Sequence, residues 1–375
     1  MDGVTDACFR SVIAQQGKPD VSFTEFTHVH DICHGPEKCL ETLRYSEGER
    51  PIVAQLYGKD PERFYVAAQV VCELGFDGLD INMGCPSKSV ASSGSGAGLI
   101  RTPELARAIM QAAKRGIEDW AGGQTLEQAG LKPARIAMFE RLNQQRGDTS
   151  PPPRRRLPLS VKTRIGYDSV TVEDWVEQLL LESPAVLSLH GRTLQQMYHG
   201  TADWSAIARA AALARGTTTL VLGNGDIQRL DDIAGRVCDT GVDGVLVGRG
   251  VLGAPWFFHA KERARIGVGG MRDPEIGSDV CARPLHERFA VLVEHARQFT
   301  QFFGAQQFHR MRKHLGWYCK GFPHAASLRA QMVRVSSVEE LQALLAEFQD
   351  RPASVMDLPQ AEPAEEPSLL VSRCS

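Results

Sequence analysis

Short apolar runs alternate with helical patterns over the first 260 residues of the chain. Seven runs of six to eight residues are rich in β-branched side chains and apolar on both faces, which predicts buried strands at 21–26, 51–58, 78–84, 159–166, 185–192, 219–226 and 244–250. Between them, Asp60-Pro61 and Thr102-Pro103 are typical helix starts, and Gly75 and Gly116 predict the corresponding helix ends. Strands that alternate with helices in this way predict a parallel sheet.

This alternation predicts an α/β fold of the (β/α)8 TIM-barrel class, in which every strand is covered by helices. Only seven strands are evident, and the chain opens with a loop and a helix that Thr5 or Asp6 begins and Gly17 ends. We therefore expect a barrel that lacks its first strand, with the eighth strand of the set preceding Met1. An open doubly wound sheet is the structural alternative.

Three segments depart from the alternation and divide the chain. The barrel domain is expected at 1–260, with an insertion at 117–157 whose composition is typical of a mobile or weakly helical surface excursion ending in a Pro/Arg-rich linker. Residues 281–350 carry only helical periodicity and predict a second, helical bundle domain. Residues 351–375 are rich in Pro and Glu and predict a disordered tail.

Composition narrows the class of protein. No apolar run reaches the roughly 18 residues that a membrane helix needs, and no basic-then-apolar leader opens the sequence. The nine cysteines are odd in number and form no CxxC pair. We therefore expect reduced thiols in a cytoplasmic protein with no membrane association and no metal site, and a monomer by default.

Charge is distributed unevenly between the two predicted domains. The chain carries a net charge of −3, yet residues 281–334 hold nine Lys and Arg side chains against two Glu. Within this segment an apolar stripe at helical spacing comprises Phe308, Met311, Leu315 and Tyr318, whereas Arg310, Lys313 and His314 face elsewhere. A basic ridge on a packed helix favours contact with a polyanion such as RNA, although charges most often form a solvated face.

Glycine-rich turns follow the last two predicted strands, at 223–226 and 248–250. Active sites of barrels lie at the carboxyl ends of the strands, and phosphate sites commonly follow the last two. Glycines let backbone N–H groups approach an anion, and Arg249 adds a fixed charge. Two neighbouring turns of this kind favour a phosphate-bearing ligand over simple chain reversal.

Four polar side chains lie inside apolar strands near the same edge. Lys162 and His190 fall near the ends of their strands, where we favour ligand contact over a salt bridge from Lys162 to Asp80 or a core histidine. Gln55 and Asn82 require hydrogen-bond partners, which either a flat heterocycle or the adjacent strand would supply.

The motifs MDGVTD, DINMGCPSK, VKTRIG, LHGRT, GNGDI and GVLVGRGVLGAPW, in this order, closely resemble the tRNA-dihydrouridine synthases. The later KHLGWYCKGFPHA resembles the helical C-terminal domain of that family, so the resemblance runs from residue 1 to about 348. It implies a flavin-binding barrel followed by a helical tRNA-binding domain. It also implies FMN as cofactor, NADPH as reductant and uridines of tRNA as substrate.

Carried over residue by residue, the resemblance implies that Cys85 is the proton donor. The FMN-contacting positions it implies are Met1, Asp2, Gln55, Lys162, His190, Asn224, Gly225, Asp226, Gly248 and Arg249. The resemblance also implies that Asn82 and Lys88 lie near the substrate RNA. Further candidates for RNA contact are Arg164, on the same side of its strand as Lys162, and Arg310 and Lys313 of the basic ridge.

The chemistry suits a thiol. Saturating the C5=C6 bond of uracil takes a hydride at C6 and a proton at C5 from the opposite face of the base. A cysteine with a pKa near about 8.5 is still protonated at neutral pH, whereas an ordinary carboxylic acid is not. The small-residue loop at 91–98 is interpreted as a gate that shifts to admit a uridine swung out of its stack. Two competing functions are a flavin oxidoreductase on a free pyrimidine, similar to dihydroorotate dehydrogenases, and a non-catalytic tRNA-binding relic.

Overall fold

The computed structural model describes residues 1–147, 151–262 and 283–350 of the chain. The chain divides into two compact units, Met1–Ala282 and Arg283–Ser375. The first contains one parallel sheet of seven strands: β1 Ser22–His28, β2 Ile52–Tyr57, β3 Gly78–Met83, β4 Leu159–Arg164, β5 Val186–His190, β6 Leu220–Asn224 and β7 Gly244–Leu246. All seven coincide with the predicted runs to within two residues at most boundaries, the last being shorter than expected.

The strands pair in the order in which they occur along the chain, each parallel to the one before it. A doubly wound sheet reverses its strand order at a switch point, so this order excludes that alternative. The two edges of the sheet lie close to one short segment: Val4 N donates to Glu25 Oε1 on β1 (2.9 Å), and Met1 Sδ lies 3.7 Å from where a Cβ on Gly248, just after β7, would stand. The predicted TIM-barrel architecture is confirmed.

Helices cover the outside of this sheet. They are α1 Ala7–Gln16, α2 Val29–His34, α3 Pro61–Glu73, α4 Lys88–Ser92, α5 Pro103–Ala121, α6 Pro133–Arg146, α7 Val172–Leu180, α8 Trp204–Ala214 and α9 Leu230–Thr240. Asp6 and Asp60 cap α1 and α3 as expected, because their carboxylates accept from free N–H groups of the first turn. Among the described helices, none combines the length and apolarity needed to cross a membrane.

The predicted end of α5 at Gly116 is wrong, because the helix continues to Ala121. Gly116 lies inside the helix and allows another helix to pack closely against it. A Cβ built there would lie 2.2 Å from the carbonyl oxygen of Tyr65 on α3, so the glycine lets the two helices approach closely.

The interpretation of residues 117–157 as a weakly helical excursion is also wrong for their central part. Residues 133–146 form α6, which docks on the barrel through buried side chains. Arg135 donates from Nε to Ile32 O (2.7 Å) and from Nη1 to Gly35 O (2.7 Å) at the end of α2, while Asn143 donates to Glu73 O (3.0 Å) at the end of α3. These contacts fasten α6 over the short α2, because they satisfy carbonyl groups that a helix end leaves free.

The second unit is helical in its described part, with α10 Leu285–Phe303, α11 Arg312–Tyr318, α12 Ala325–Met332 and α13 Val338–Gln349. The predicted stripe is buried, with Phe308, Met311, Leu315 and Tyr318 all at most 2% exposed. His314 was expected beside Arg310 and Lys313, and this is wrong: it is 1% exposed and its ring lies 4.9 Å from that of His295. The predicted tail at 351–375 lies outside the described residues.

Candidate active site

A chain of hydrogen-bonded polar side chains crosses three strands inside the barrel mouth. Register places Gln55, Asp80 and Ser160 opposite one another on β2, β3 and β4. Ser160 Oγ donates to Asp80 Oδ1 (2.6 Å) and Gln55 Nε2 donates to Asp80 Oδ2 (2.8 Å). Burial raises the pKa of Asp80 to about 6, while these two hydrogen bonds and Lys162 oppose the rise.

The same chain reaches the cysteine loop. Because Asp80 accepts from the amide nitrogen of Gln55, the amide oxygen of Gln55 is turned toward Asn82, whose Nδ2 donates to it (3.0 Å). Asn82 Oδ1 then accepts from the backbone N–H groups of Gly84 (3.0 Å) and Cys85 (2.9 Å). Gln55 and Asn82 therefore do link adjacent strands, and in doing so they orient the backbone that carries Cys85.

Cys85 follows β3 at the mouth and is 8% exposed. The small residues after it are explained by close packing: a Cβ on Gly96 would lie 3.1 Å from Cys85 Cβ, and one on Gly98 would lie 2.5 Å from Ala91 O. Lys88, in the first turn of α4, is exposed. The gate hypothesis for 91–98 stays a prediction, since packing alone already requires the glycines.

Arg164 is buried, with 2% of its surface exposed. Its guanidinium donates to Gly84 O (2.8 Å) beside the cysteine, and to Thr193 O (2.9 Å) and Met197 O (3.1 Å) in the loop after β5. It therefore ties the cysteine loop to the β5 loop.

The ammonium group of Lys162 has no carboxylate at ion-pair distance among the described residues. Its Nζ donates one long hydrogen bond to Thr163 O (3.5 Å), and no ion pair of Lys162 occurs among the described residues. Burial, followed by the like charge of Arg164, lowers its pKa to about 7, while Asp80 opposes the shift. The salt bridge to Asp80 is therefore not formed, and the mouth holds an ammonium group suited to an electron-rich ligand.

His190 ends β5 and faces a set of cations. Burial, followed by the charges of Lys162, Arg164, Arg192 and Arg249, lowers its pKa to about 2, so the ring is neutral at physiological pH. Arg192 Nη1 lies 3.4 Å from His190 Nε2.

The two glycine turns after β6 and β7 meet through Asp226. Arg192 Nη2 donates to both of its oxygens (2.9 and 2.8 Å), and Arg249 Nη2 donates to Oδ1 (3.1 Å). Burial alone would raise the pKa of Asp226, but the N–H of Ala202 and the guanidinium of Arg192 hold it below its ordinary value. Arg192 is 2% exposed and was not predicted as a site residue. Its place two residues after His190 in the LHGRT motif was the available signal.

Glycine is required where the first turn passes the β5 loop. Gly225 has φ 137°, and a Cβ there would lie 2.5 Å from Ala202 Cβ. Asn224 donates from Nδ2 to Leu246 O (2.8 Å), which joins β6 to β7. Gly248 follows β7 beside the exposed Met1, and Asp2 is partly exposed.

The dihydrouridine synthase (Dus) family model matches residues 1–119 and 154–353 of this chain. The chain belongs to the dihydrouridine synthase family. The gap in the match, 120–153, falls inside the expected insertion. A probable tRNA-dihydrouridine synthase 2 of Bacillus subtilis (strain 168) is 33% identical over 354 residues, covering 93% of this chain and 92% of that protein. A probable tRNA-dihydrouridine synthase of Staphylococcus aureus (strain MRSA252) is 32% identical over 356 residues, covering 93% and 91%.

Among solved structures, that of DHODH from Eimeria tenella in complex with ferulenol is 17% identical, with a TM-score of 0.38 over 63% of this chain and 64% of that chain. This likeness is too weak to inform the description of the dihydrouridine synthase fold.

The remaining predicted site residues lie in the second unit of the chain. Lys313 is exposed and Arg310 is partly exposed, with its guanidinium 4.5 Å from the ring centroid of Phe303. They are placed away from the buried stripe, as the spacing predicted.

Proposed function

We propose that this protein is a tRNA-dihydrouridine synthase that reduces the C5=C6 bond of particular uridines in tRNA, with FMN as cofactor and NADPH as reductant. The observation that carries the proposal is the arrangement of the barrel mouth. Cys85 follows β3, an unpaired lysine lies on β4, and two glycine turns with Arg249 follow β6 and β7. Family membership supports reduction of uridine.

The described residues fit a flavin mononucleotide. The ammonium of Lys162, which pairs with no carboxylate among the described residues, and the neutral ring of His190 would contact the polar edge of the ring system. The side chain of Arg249 is 50% exposed, and beside Gly225 and Gly248 it would bind the phosphate. Asp226 repels a phosphate, so its part is to hold Arg192 and Arg249 in place.

When bound and reduced, FMN would supply a hydride for C6 of the uracil. Cys85 donates the proton to C5 from the other face of the base, and its main chain is fixed by Asn82 for that purpose. Arg164 fixes the far side of the same loop through Gly84 O. We assign Arg164 to positioning, since its guanidinium is buried against three carbonyl oxygens, and we keep Lys88, which is exposed at the loop, as a contact to RNA.

The basic surface of the second unit, including Arg310 and Lys313, supplies affinity for the phosphates of tRNA. Phosphate contacts of this kind position a nucleic acid without reading its sequence. A cytoplasmic monomer that needs no metal completes the proposal.

The test is mass spectrometry of an unmodified tRNA transcript after incubation with the protein, FMN and NADPH. We expect a two-hydrogen mass gain at specific uridines with the wild type. Replacing the proton donor, Cys85→Ala, is expected to slow the gain by about a hundredfold or more. The exposed Cys238 provides the control, since Cys238→Ala is expected to behave as wild type.

The competing functions give different results in the same assay. Reduction of free uracil or orotate without tRNA would favour an oxidoreductase acting on free pyrimidines. A colourless preparation that neither takes up FMN nor oxidises NADPH would indicate a non-catalytic relic. Full activity of Cys85→Ala would contradict the assigned proton donor.

A further inference from the structure

Five aromatic rings form a continuous row from the barrel mouth to its outer rim. Phe26 contacts Tyr57 (centroids 5.0 Å apart), Tyr57 contacts His28 (4.7 Å), His28 approaches His30 (6.1 Å), and His30 approaches His34 (5.3 Å). We call these residues the ring row. None of them belongs to the site described above.

The fold explains how the ring row is built. Phe26 and His28 stand two residues apart on β1 and pair in register with Gln55 and Tyr57 of β2. Because strand side chains alternate, Phe26, His28 and Tyr57 share the face on which Gln55 lines the mouth. In α2, Val29, Ile32 and Cys33 are buried, so His30 and His34, four residues apart, lie on the opposite face.

The rings remain accessible. Phe26, His28, His30 and Tyr57 are partly exposed and His34 is exposed. No group of three or more His, Cys, Asp or Glu among the described residues is arranged to hold a metal, so this histidine cluster is not a metal centre there. Exposure of several neighbouring aromatic rings to water is unfavourable, which indicates a ligand with flat groups that can stack on them.

The charges beside the row are mixed near its middle, where Asp31 acts on His28, and positive at its outer end. Arg63 Nη1 contacts His30 Nδ1, and Arg63 also pairs with Asp60 (3.0 Å). At the outer end, burial lowers the pKa of His34, and the side chains that act in the same direction are His30 and the cations Arg63, Arg135 and Lys132. Lys132 is exposed and comes from the insertion at 117–157, so this segment adds positive charge to the outer end of the row.

We propose that the ring row, with Arg63 and Lys132, binds the unpaired nucleotides of the tRNA that flank the target uridine. Stacking on aromatic rings combined with contacts from cations to phosphates is the usual means of holding single-stranded RNA. The row begins next to the cysteine loop: Lys59, two residues after Tyr57, donates from Nζ to Ser93 O (2.8 Å). The inference rests on the proposed function for the identity of the RNA.

The test is the dissociation constant for an unmodified tRNA transcript, measured by fluorescence anisotropy at fixed salt. Tyr57→Leu removes a ring from the middle of the row, and the double variant His30→Ala, His34→Ala removes two from its outer end. We expect each to weaken binding by about tenfold. Tyr57→Phe keeps the ring and is expected to bind as wild type. His259→Ala, an exposed histidine beyond β7, is the matched control.

Thermal unfolding of each variant separates lost binding from lost folding, and the outer histidines are chosen because their exposure makes folding defects small. Wild-type affinity in both Tyr57→Leu and the double variant would overturn the proposal. Equal weakening by Tyr57→Phe and Tyr57→Leu would also overturn it, since the hydroxyl and not the ring would then be responsible. The dissociation constants test the ring row, whereas dihydrouridine formation tests the proposed function. A wild type that binds tRNA without forming dihydrouridine would refute the proposed function, and the dissociation constants of the variants would still decide whether the ring row binds tRNA.

Discussion

Asp80 shows how a single buried residue can orient the cysteine loop, which it does not touch. It is 0% exposed, and both of its oxygens accept hydrogen bonds. Its carboxylate sets the orientation of Gln55, which sets that of Asn82, which holds the N–H of Cys85.

We expect Asp80→Ala to lower kcat for dihydrouridine formation by about ten- to a hundredfold, because Gln55 Nε2 loses the acceptor that fixes the orientation of its amide. The loss should fall on kcat more than on KM for tRNA. The rate at which iodoacetamide alkylates Cys85 should also change, which a purely structural defect elsewhere would not produce. Ser160→Ala is the control, since it leaves the bond from Gln55 to Asp80 in place; an equal loss of kcat there would argue against the relay.

Lys162 predicts a dependence of flavin binding on pH. Its pKa of about 7 means that the ammonium loses its proton as pH rises through neutrality. If an electron-rich ligand contacts the charged form, affinity of the apoprotein for FMN falls above pH 7, by up to about tenfold per pH unit. Fluorescence titration with FMN between pH 7 and 9 measures this. Lys162→Met should bind weakly and with no such slope, and an unchanged slope in that variant would exclude Lys162 as its source.

Sequence alone located the residues that carry a motif, but not those that support them. Cys85 and the glycine turns were recognisable because the chemistry of each depends on residue type and local spacing. The RNA contact implied for Arg164 stays a prediction, but the hydrogen bonds of its guanidinium could not be predicted: they go to Gly84 O and Thr193 O, 80 and 29 residues away along the chain. Partners at such separations are set by the folded backbone, which no local pattern reports.

At the scale of elements, strands were predicted better than helix ends. Strand positions follow from runs of apolar residues. A glycine such as Gly116 can either end a helix or allow close contact with another helix, and the sequence does not show which helix lies beside it. The insertion was misjudged for a related reason. Its polar composition does not indicate that Arg135 and Phe139 become buried when α6 docks on the barrel, where they are 7% and 1% exposed.

The packing of α3 against α5 gives a test with an internal control. Gly116→Ala is expected to lower the free energy of unfolding by about 1–3 kcal/mol, because the new Cβ meets the backbone carbonyl of Tyr65. Gly235 in α9 has no neighbour within 4 Å of its built Cβ, so Gly235→Ala is expected to stabilise by about 0.5–1 kcal/mol through helix propensity. Urea unfolding followed by circular dichroism measures both. The two variants are expected to change the free energy of unfolding in opposite directions. Stabilisation by Gly116→Ala would contradict the close approach of Gly116 to the carbonyl oxygen of Tyr65.

The second unit contains a buried histidine pair that predicts acid sensitivity. Burial lowers the pKa of His295 to about 3, and burial followed by His295 and Lys313 holds that of His314 well below its ordinary value. At pH 7 both are neutral in the folded state, and they are mostly neutral in the unfolded state, where the pKa of a histidine is about 6.5. Below pH 6.5 the unfolded chain binds protons that the folded unit excludes, so stability falls by about 1.4 kcal/mol per pH unit for each histidine.

Calorimetry at pH 7, 5.5 and 4.5 tests this expectation. His314→Phe should reduce the acid-induced fall in Tm relative to wild type, because one excluded proton is removed. The exposed His286 offers a control, and His286→Ala should leave the fall unchanged. Identical pH profiles for His314→Phe and wild type would show that other groups dominate acid unfolding.

At the scale of the whole molecule, we propose that function is divided between a barrel that supplies the chemistry and a helical unit in which residues 281–334 concentrate positive charge. Nine Lys and Arg against two Glu lie within 281–334, although the chain as a whole is at −3. Under the proposed function, this segment would attract the phosphates of tRNA, while the barrel mouth would select the base.

The division predicts that charge removal in the helical unit changes binding without changing chemistry. Arg310→Ala and Lys313→Ala are each expected to weaken tRNA binding and to lower the slope of log Kd against log salt by about one, since each removes one phosphate contact. Single-turnover rates at saturating tRNA should stay at the wild-type value. Arg215 provides the control. It is exposed at the end of α8, where the chain enters β6, and it therefore lies at the end of the barrel opposite the mouth. If Arg215→Ala reduced the salt slope as much as Arg310→Ala, the affinity would come from overall charge and not from the helical unit.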